Sequence, residues 1–521
     1  MNTIAQLDVL IRAAYPIIYI VSFEEARVKA QLKELASNRK RSIATWSCTQ
    51  GLVYHDELNR TTKEDEATKD PLAVLQAIDE RLVQGLPSTT KGTLWILSDL
   101  HPYMEDPFII RKLREIADKI KTIKGKTLIL LSPILKLPIE LEKQITVLDW
   151  PLPTQADIEQ QLSTAITDMS QNVINIKLEK TEREKIVKSC SGLTSEEIEN
   201  VISKSLTQTK TINVESIIEE KKQIIRKEGV LEYFSASEHF TDVGGMEQLK
   251  EWLRKRGKAF TDDAREYGLS FPKGVLLLGV QGCGKSLICK AVAGLWKLPL
   301  IKLDIGKIFE GVVGGSEAKI NRALTFAERI APCILWIDEL DKGFSGMGSS
   351  NFSDAGTTAR VIGTFLSWMQ DKRSPVFIVA TANDISTLPP ELLRKGRFDE
   401  IFFVDLPTPE ERTDIFAIHI QKRKRDPKKF ALDDLVEVSK DFSGAEIEAA
   451  VEEGMFSAFD EGVDVNTNYI HSAIVETVPL SQTMQEKIEA LRKWASTRAR
   501  LASKKVEVNS FVSTSKRALE M

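Results

Sequence analysis

The chain has 521 residues, 42% hydrophobic and 28% charged, with a formal net charge of −4. That length exceeds a single hydrophobic core and calls for two or more domains. The charge balance excludes a global pull towards nucleic acid or anionic membrane, and no run of about 18 apolar residues is present to span a bilayer. Cys48, Cys190, Cys283, Cys289 and Cys333 are scattered, with no CxxC pair and no histidine partners. This pattern argues against a zinc site or a disulfide framework and for a reducing compartment. The first sixteen residues, MNTIAQLDVLIRAAYP, form neither a basic leader with an apolar core nor an Arg- and Ser-rich transit segment. The protein is therefore expected to be made and used in one compartment.

In chain order, the first clear element is the apolar run Ile17–Val21, which reads as a buried strand. It is followed by Ser22-Phe23-Glu24-Glu25-Ala26. Residues 55–71, including TTKEDEATKD, are polar and read as a surface loop. Thr93–Leu97 reads as a second buried strand and ends at Ser98-Asp99. Residues 206–235 carry mixed charge and read as a helical connector.

The strongest signal comes next. The apolar strand Gly274–Leu278 runs into GVQGCGKS, comprising Gly279, Val280, Gln281, Gly282, Cys283, Gly284, Lys285 and Ser286. The glycines let backbone N–H groups turn inward onto phosphate oxygens. Lys285 supplies a point charge for the β- and γ-phosphates, and Ser286 a hydroxyl for Mg²⁺. The helix that follows offers its positive N-terminus to the same anion. Cys283 reads as a small filler within the loop, with redox gating of ATP binding as the alternative. Ile334–Asp341 reads ILWIDELD, a buried strand that ends in two acids. Asp338 is assigned to the metal and Glu339 to the attacking water. The strand Val376–Ala382 leads to Asn383, a neutral donor placed to polarise the water or the γ-phosphate. Gly343–Gly356 reads as a flexible loop, and 408–475 as amphipathic helices. Met484–Lys505 reads as a basic helix whose Ile488, Leu491, Trp494 and Ala495 pack against that helical region, with contact to a nucleic acid or an anionic partner as the alternative.

These segments together resemble the AAA family of ATPases over residues 236–475. Phe240-Thr241-Asp242-Val243-Gly244-Gly245 is similar to the family segment that lines the adenine pocket, which implicates Val243 and Gly244. Asn383 falls at the sensor-1 position. Leu388–Pro407 resembles the family's second region of homology, and Arg394 and Arg397 match its arginine-finger positions. Ser443-Gly444-Ala445-Glu446 is similar to the start of the sensor-2 helix, where Ala445 replaces an arginine that some clades use. The resemblance implies ATP and Mg²⁺ as ligands and homo-oligomers, hexameric by default. No HExxH motif is present, so the chain is not expected to be a protease by itself.

The first half echoes the second. Ser98-Asp99-Leu100-His101 matches Asp338-Glu339-Leu340-Asp341, and Leu137–Leu141 matches Leu388–Leu392. Val147–Pro153 matches Phe403–Pro409, and Ser191-Gly192 with Glu197 matches Ser443-Gly444 with Glu446, all in the same order. The glycines and lysine of the P-loop and the RKGRFD block have no counterpart. The expected fold is therefore α/β: a P-loop AAA+ module, a parallel sheet flanked by helices, with a helical lid, preceded by a degenerate AAA-like α/β domain. The expected domains are 1–205 (degenerate AAA-like), 206–235 (connector), 236–407 (large ATPase subdomain), 408–480 (lid) and 481–521 (basic helical tail). Over most of its length the chain resembles the hypothetical chloroplast reading-frame AAA proteins of cyanobacteria and algal plastids. That resemblance implies a cyanobacterial cytoplasm or a plastid stroma and names no substrate.

Two uses of the ATPase are expected. One is a ring that remodels a protein or protein complex, with Val312 at the pore-loop place where an aromatic is usual and Phe309 as its substitute. The other is a slow nucleotide-dependent switch or assembly factor. Nucleic-acid remodelling has only the basic tail in its favour.

Overall fold

Aliphatic runs separated by polar turns build two seven-stranded sheets, one in each of two compact units, Met1–Ile217 and Ile218–Met521. The computed structural model describes residues 3–55, 61–83, 92–123, 125–171, 178–209, 211–227, 229–234, 238–309, 315–344, 352–394 and 396–503.

The first unit contains β1 (Ile17–Val21), β2 (Ser42–Ser47), β3 (Gly51–His55), β4 (Thr61–Asp65), β5 (Thr93–Ser98), β6 (Lys126–Ser132) and β7 (Ile145–Asp149). The second contains β8 (Leu231–Phe234), β9 (Gly274–Gly279), β10 (Leu300–Leu303), β11 (Cys333–Ile337), β12 (Val376–Ala382), β13 (Glu400–Val404) and β14 (Arg500–Leu501). Their parallel cores run β7-β1-β6-β5-β2 and β13-β9-β12-β11-β10. The order is the same in both: the first strand lies between the fifth and the fourth. The sequence echo thus corresponds to a shared topology, and the first unit is AAA-like without a P-loop.

Both sheets are covered on two faces, which is why their strands read as continuous apolar runs. In the second sheet, Leu276, Leu278, Leu335, Ile337 and Ile378 enter one core, while Val275, Leu277, Trp336, Phe377 and Phe402 enter the other. In the first, Ile17 and Tyr19 face one core and Ile18 and Ile20 the opposite one. After β13 come the helices Pro409–Lys422, Leu432–Val438, Gly444–Asp460 and Thr467–Glu476, with their own core around Phe416, Ile447, Val451 and Ile470. After β7 come the helices Gln155–Gln171, Lys180–Cys190 and Ser195–Thr209.

Several expectations are corrected. Thr61–Asp65 is not loop but edge strand β4, paired antiparallel with β3. Its charged residues are what edge strands carry to block further pairing, so polarity alone misleads there. The connector is helical at Val214–Lys227, but Leu231–Phe234 becomes β8, antiparallel to β10. Its Phe234 ring packs edge-on against Trp336 at 5.3 Å. The helix Gln485–Arg498 does not pack on the lid core: Leu491 and Ala495 join one core of the ATPase sheet and Ile488 the other. The chain then forms β14 beside β13 rather than continuing as helix. Residues 504–521, 345–351 and Val312 lie outside the described residues, and the expected Gly343–Gly356 loop is helix from Phe352 onward, in the helix Phe352–Asp371. Phe309 ends the short helix Ile305–Phe309 and packs, half-buried, against the sheet core, which does not suit it to replace an exposed pore aromatic.

Candidate functional site

The carboxyl ends of β9, β11 and β12 converge on one cavity of about 560 Å³. It is lined by Gln281–Ser286, Asp338, Glu339 and Asn383 on one side, and by Val243, Gly244 and Ala445 on another. A cavity of this size suits a nucleotide-sized ligand.

One end is built from the turn between β9 and the helix Lys285–Trp296. Gly282 has φ +77, and a Cβ there would come 2.8 Å from the Ser443 hydroxyl. The left-handed conformation and the close approach of the lid both require glycine. Lys285 is 6% exposed and donates to the carbonyls of Gly279 (2.9 Å) and Val280 (2.7 Å). Burial pulls its ammonium down to about 8, against the attraction of nearby acids. Cys283 is 7% exposed, and burial pushes its thiol up to about 12. A thiol held neutral in this way is a poor nucleophile, which fits the filler reading and not redox gating.

Ser286 donates to Asp338 Oδ1 at 3.0 Å, so the hydroxyl and carboxylate that would share a divalent cation already face each other. The same carboxylate oxygen accepts from Thr381 at 2.7 Å, and Thr381 Oγ1 in turn accepts the Glu339 N–H at 2.9 Å. Glu339 has φ +50, a left-handed conformation uncommon in residues with a side chain, and Lys342 lies 2.7 Å from its carboxylate. Thr381 therefore fixes both acids, and sequence reasoning missed it. Its only signal was a hydroxyl inside an otherwise apolar strand one step before the sheet edge. Asp341 is buried beneath the acids, accepts the Asp384 N–H at 3.1 Å, and has its carboxyl pushed upward by desolvation.

The lining also includes Val243, Gly244, Ile415 and Ile418, beside His419, Lys422 and Glu448. A Cβ on Gly244 would fall 2.5 Å from Ile415 Cγ1, so glycine permits the contact. Burial lowers the His419 imidazole against the opposing pull of Glu448, whose carboxylate is 3.3 Å away. The lid residues were missed because the sequence shows an amphipathic helix without saying which residues end at the cleft. The lid is tied to the loop directly: the Ala445 N–H donates to the Gly282 carbonyl at 3.0 Å.

Arg394 and Arg397 do not line the cavity. Arg394 is exposed; Arg397 is half-buried, and its Nη1 has no hydrogen-bond partner among the described residues.

The first unit has the same sheet edge without the cradle. Three residues (22–24) link β1 to the helix Glu25–Asn38, where five (280–284) link β9 to its helix. Asp99, at the place of Glu339, keeps the left-handed backbone with φ +53. Glu24 is buried and accepts the Ser195 N–H at 2.6 Å, at the N-terminus of the helix Ser195–Thr209. Its other oxygen pairs with Arg27. A fixed carboxylate thus joins strand loop to helix, where the second unit joins them through the Gly282 carbonyl.

Comparison with known proteins places these units. Residues 3–150 match the family described as SpoVK-like AAA ATPase, N-terminal domain, and 156–228 the SpoVK-like AAA ATPase, second domain. Residues 275–406 match the ATPase family associated with various cellular activities (AAA). The chain is 42% identical to the AAA domain-containing protein ycf46 of Trieres chinensis, over 97% of this chain and 99% of that protein. It is 40% identical to the ycf46 protein of Guillardia theta, over 96% and 97%. A partial likeness, 30% over 46% of this chain and 37% of the other, links it to the ATP-dependent zinc metalloprotease FtsH of Heterosigma akashiwo.

Proposed function

The chain belongs to the AAA ATPases, in the ycf46 group of AAA domain-containing proteins, and on that premise we propose that it binds Mg·ATP in its second unit and hydrolyses it within a homo-oligomer to remodel a protein or protein complex. The observation that carries this reading is the convergence of Lys285, Ser286, Asp338, Glu339 and Thr381 on one cavity.

The Gln281–Ser286 backbone and Lys285 bind the phosphates and hold them in line for attack. Ser286 and Asp338 would hold Mg²⁺, which would supply positive charge against the negative charge that builds on the phosphoryl oxygens. Glu339, fixed through Thr381, accepts a hydrogen bond from the attacking water and aligns it. Asn383 donates a hydrogen bond to the same water or to the γ-phosphate. Val243, Gly244, Ile415 and Ile418 exclude water around the base. Arg394 and Arg397 act on a neighbouring subunit's nucleotide, since their own cavity does not include them.

The proposed domain plan is a nucleotide-free AAA-like first domain (1–205), a connector (206–235) whose strand β8 joins the ATPase sheet, the large subdomain (236–407), the lid (408–480) and a C-terminal segment (481–521) whose helix packs on that sheet and whose strand β14 joins it. The first domain docks a partner or supports assembly. The protein works in a cyanobacterial cytoplasm or a plastid stroma; among the described residues no helix is long and apolar enough to cross a membrane.

One observation favours a second reading, a slow nucleotide-dependent switch. Phe309 packs against the core, and residues 310–314 (Glu-Gly-Val-Val-Gly) contain no aromatic to grip an extended chain. The test is capture of partners on Glu339→Gln protein in Mg·ATP, with turnover of the unaltered chain measured in parallel. Turnover stimulated several-fold by an unfolded protein supports remodelling. Slow, unstimulated turnover with ATP-dependent partner capture supports the switch. An unaltered chain with no ATP hydrolysis at any concentration rejects the ATPase reading.

A further inference from the structure

The base end of the cavity is completed by a segment far from every motif. Ala502 N–H donates to the Phe403 carbonyl at 2.9 Å, extending the pairing of β14 with β13. Its own carbonyl accepts the N–H groups of Gln248 (3.0 Å) and Leu249 (3.1 Å), at the start of the helix Glu247–Gly257. Ser503 follows and lines the cavity, and its hydroxyl donates to Glu411 Oε1 at 2.6 Å.

Glu411 is the junction of three stretches of chain. Oε1 also accepts the Met246 N–H at 3.0 Å, and Oε2 accepts the Thr408 N–H at 3.0 Å. The turn before Met246 is shaped around this carboxylate. Gly245 has φ +70, Met246 has φ +57, and a Cβ on Gly245 would lie 2.3 Å from Glu411 Oε1. That turn ends the wall formed by Val243 and Gly244. We infer that residues 500–503 are an integral part of the nucleotide site, and that Ser503 and Glu411 are positioning residues for the wall that receives the base. This deepens the ATP-binding reading and rests on it.

The physical argument is one of orientation. Glu411 sits in the first turn of the first lid helix, where its Oε2 is engaged by the local capping box with Thr408. The cap alone leaves Oε1 to one backbone N–H from a strained turn. The Ser503 hydroxyl adds a second, charge-assisted donor, which fixes the carboxylate and with it the turn at 244–246. Helix Gln485–Arg498 anchors the segment from behind: Arg492 grips Asp405 with bonds of 2.8 to 3.0 Å, and Asp405 also lines the cavity. Lid, base wall and C-terminal segment are thereby one connected unit.

The experiment compares unaltered protein with Ser503→Ala and Ser503→Thr, by ATP titration and by residue-level hydrogen exchange. Ser503→Ala is expected to weaken ATP binding about tenfold and to speed exchange at residues 243–246, while the amides at 282–286 keep their rates. Ser503→Thr, which keeps the hydroxyl, is expected to restore both. Unchanged affinity in Ser503→Ala, equal loosening at 282–286, or no rescue by threonine would overturn the positioning role. Absence of ATP binding by the unaltered chain would instead overturn the parent reading, and this inference with it, even if exchange at 243–246 responded as expected.

Discussion

Lys285 holds a positive charge in a nearly buried position because two carbonyls of its own loop accept hydrogen bonds from its ammonium. On the proposed reading, the ammonium is thereby held in place for phosphate. Lys285→Ala is expected to reduce ATP affinity by about 10²-fold or more, whereas Glu339→Gln should keep binding and stop hydrolysis. Nucleotide titration and steady-state turnover on both variants check the division; normal turnover in Glu339→Gln would reject it. Thr381 adds a finer test. Thr381→Val keeps the shape but strands the Glu339 N–H and leaves Asp338 Oδ1 with the Ser286 hydroxyl as its donor. Turnover should fall about tenfold while ATP affinity stays within about threefold, because the water-aligning Glu339 loses its anchor while Asp338 keeps Ser286. An affinity loss equal to the rate loss would show that Thr381 serves binding instead.

At the scale of elements, the two units solve one problem with different parts. A helix N-terminus must dock on the loop after the first strand, and its first N–H groups need acceptors. In the second unit the Gly282 carbonyl accepts from Ala445; in the first, the Glu24 carboxylate accepts from Ser195. A carboxylate is favoured there by the helix dipole and does for the first unit what no ligand is needed to do. Glu24→Ala should cost the first unit about 1–3 kcal/mol, since it leaves the Ser195 N–H and the Arg27 charge without their partner. Hydrogen exchange in the helix Ser195–Thr209 should quicken, and ATP affinity should not change. Unaltered exchange in that helix would show that packing alone holds it.

For the whole molecule, the loop lengths at 22–24 and 280–284 lead to one nucleotide per chain. Isothermal titration with two sites would contradict this. Arg394 and Arg397 lie away from their own cavity, so hydrolysis per chain should rise with protein concentration as subunits associate. An arginine supplied in trans is worth roughly 10³-fold or more in rate. A mixture of Arg394→Ala and Lys285→Ala chains should recover activity that neither has alone, since one offers an intact cavity and the other an intact arginine. No recovery in proven mixed oligomers would reject the trans arrangement.

The P-loop, the acids at the end of β11 and the repeat of an AAA-like half were legible in the sequence because each is local: a strand, a turn and the residues beside it. Backbone torsion and spacing along one segment decide such features, and no distant contact can undo them. Thr381, Glu411 and Ser503 were not legible because their roles exist only between segments that the chain brings together from positions 243–246, 338–339, 381, 408–411 and 500–503. Edge strands β4 and β14 were missed for a related reason. Their pairing is set by the neighbour's unpaired backbone and not by their own polar composition. The sequence by itself determined which family's motifs the second half carries, with the ATP chemistry we propose for them, and that the first half lacks those motifs. Only the tertiary structure decided which side chains aim that chemistry, because hydrogen-bond direction across a cleft depends on where separate elements pack.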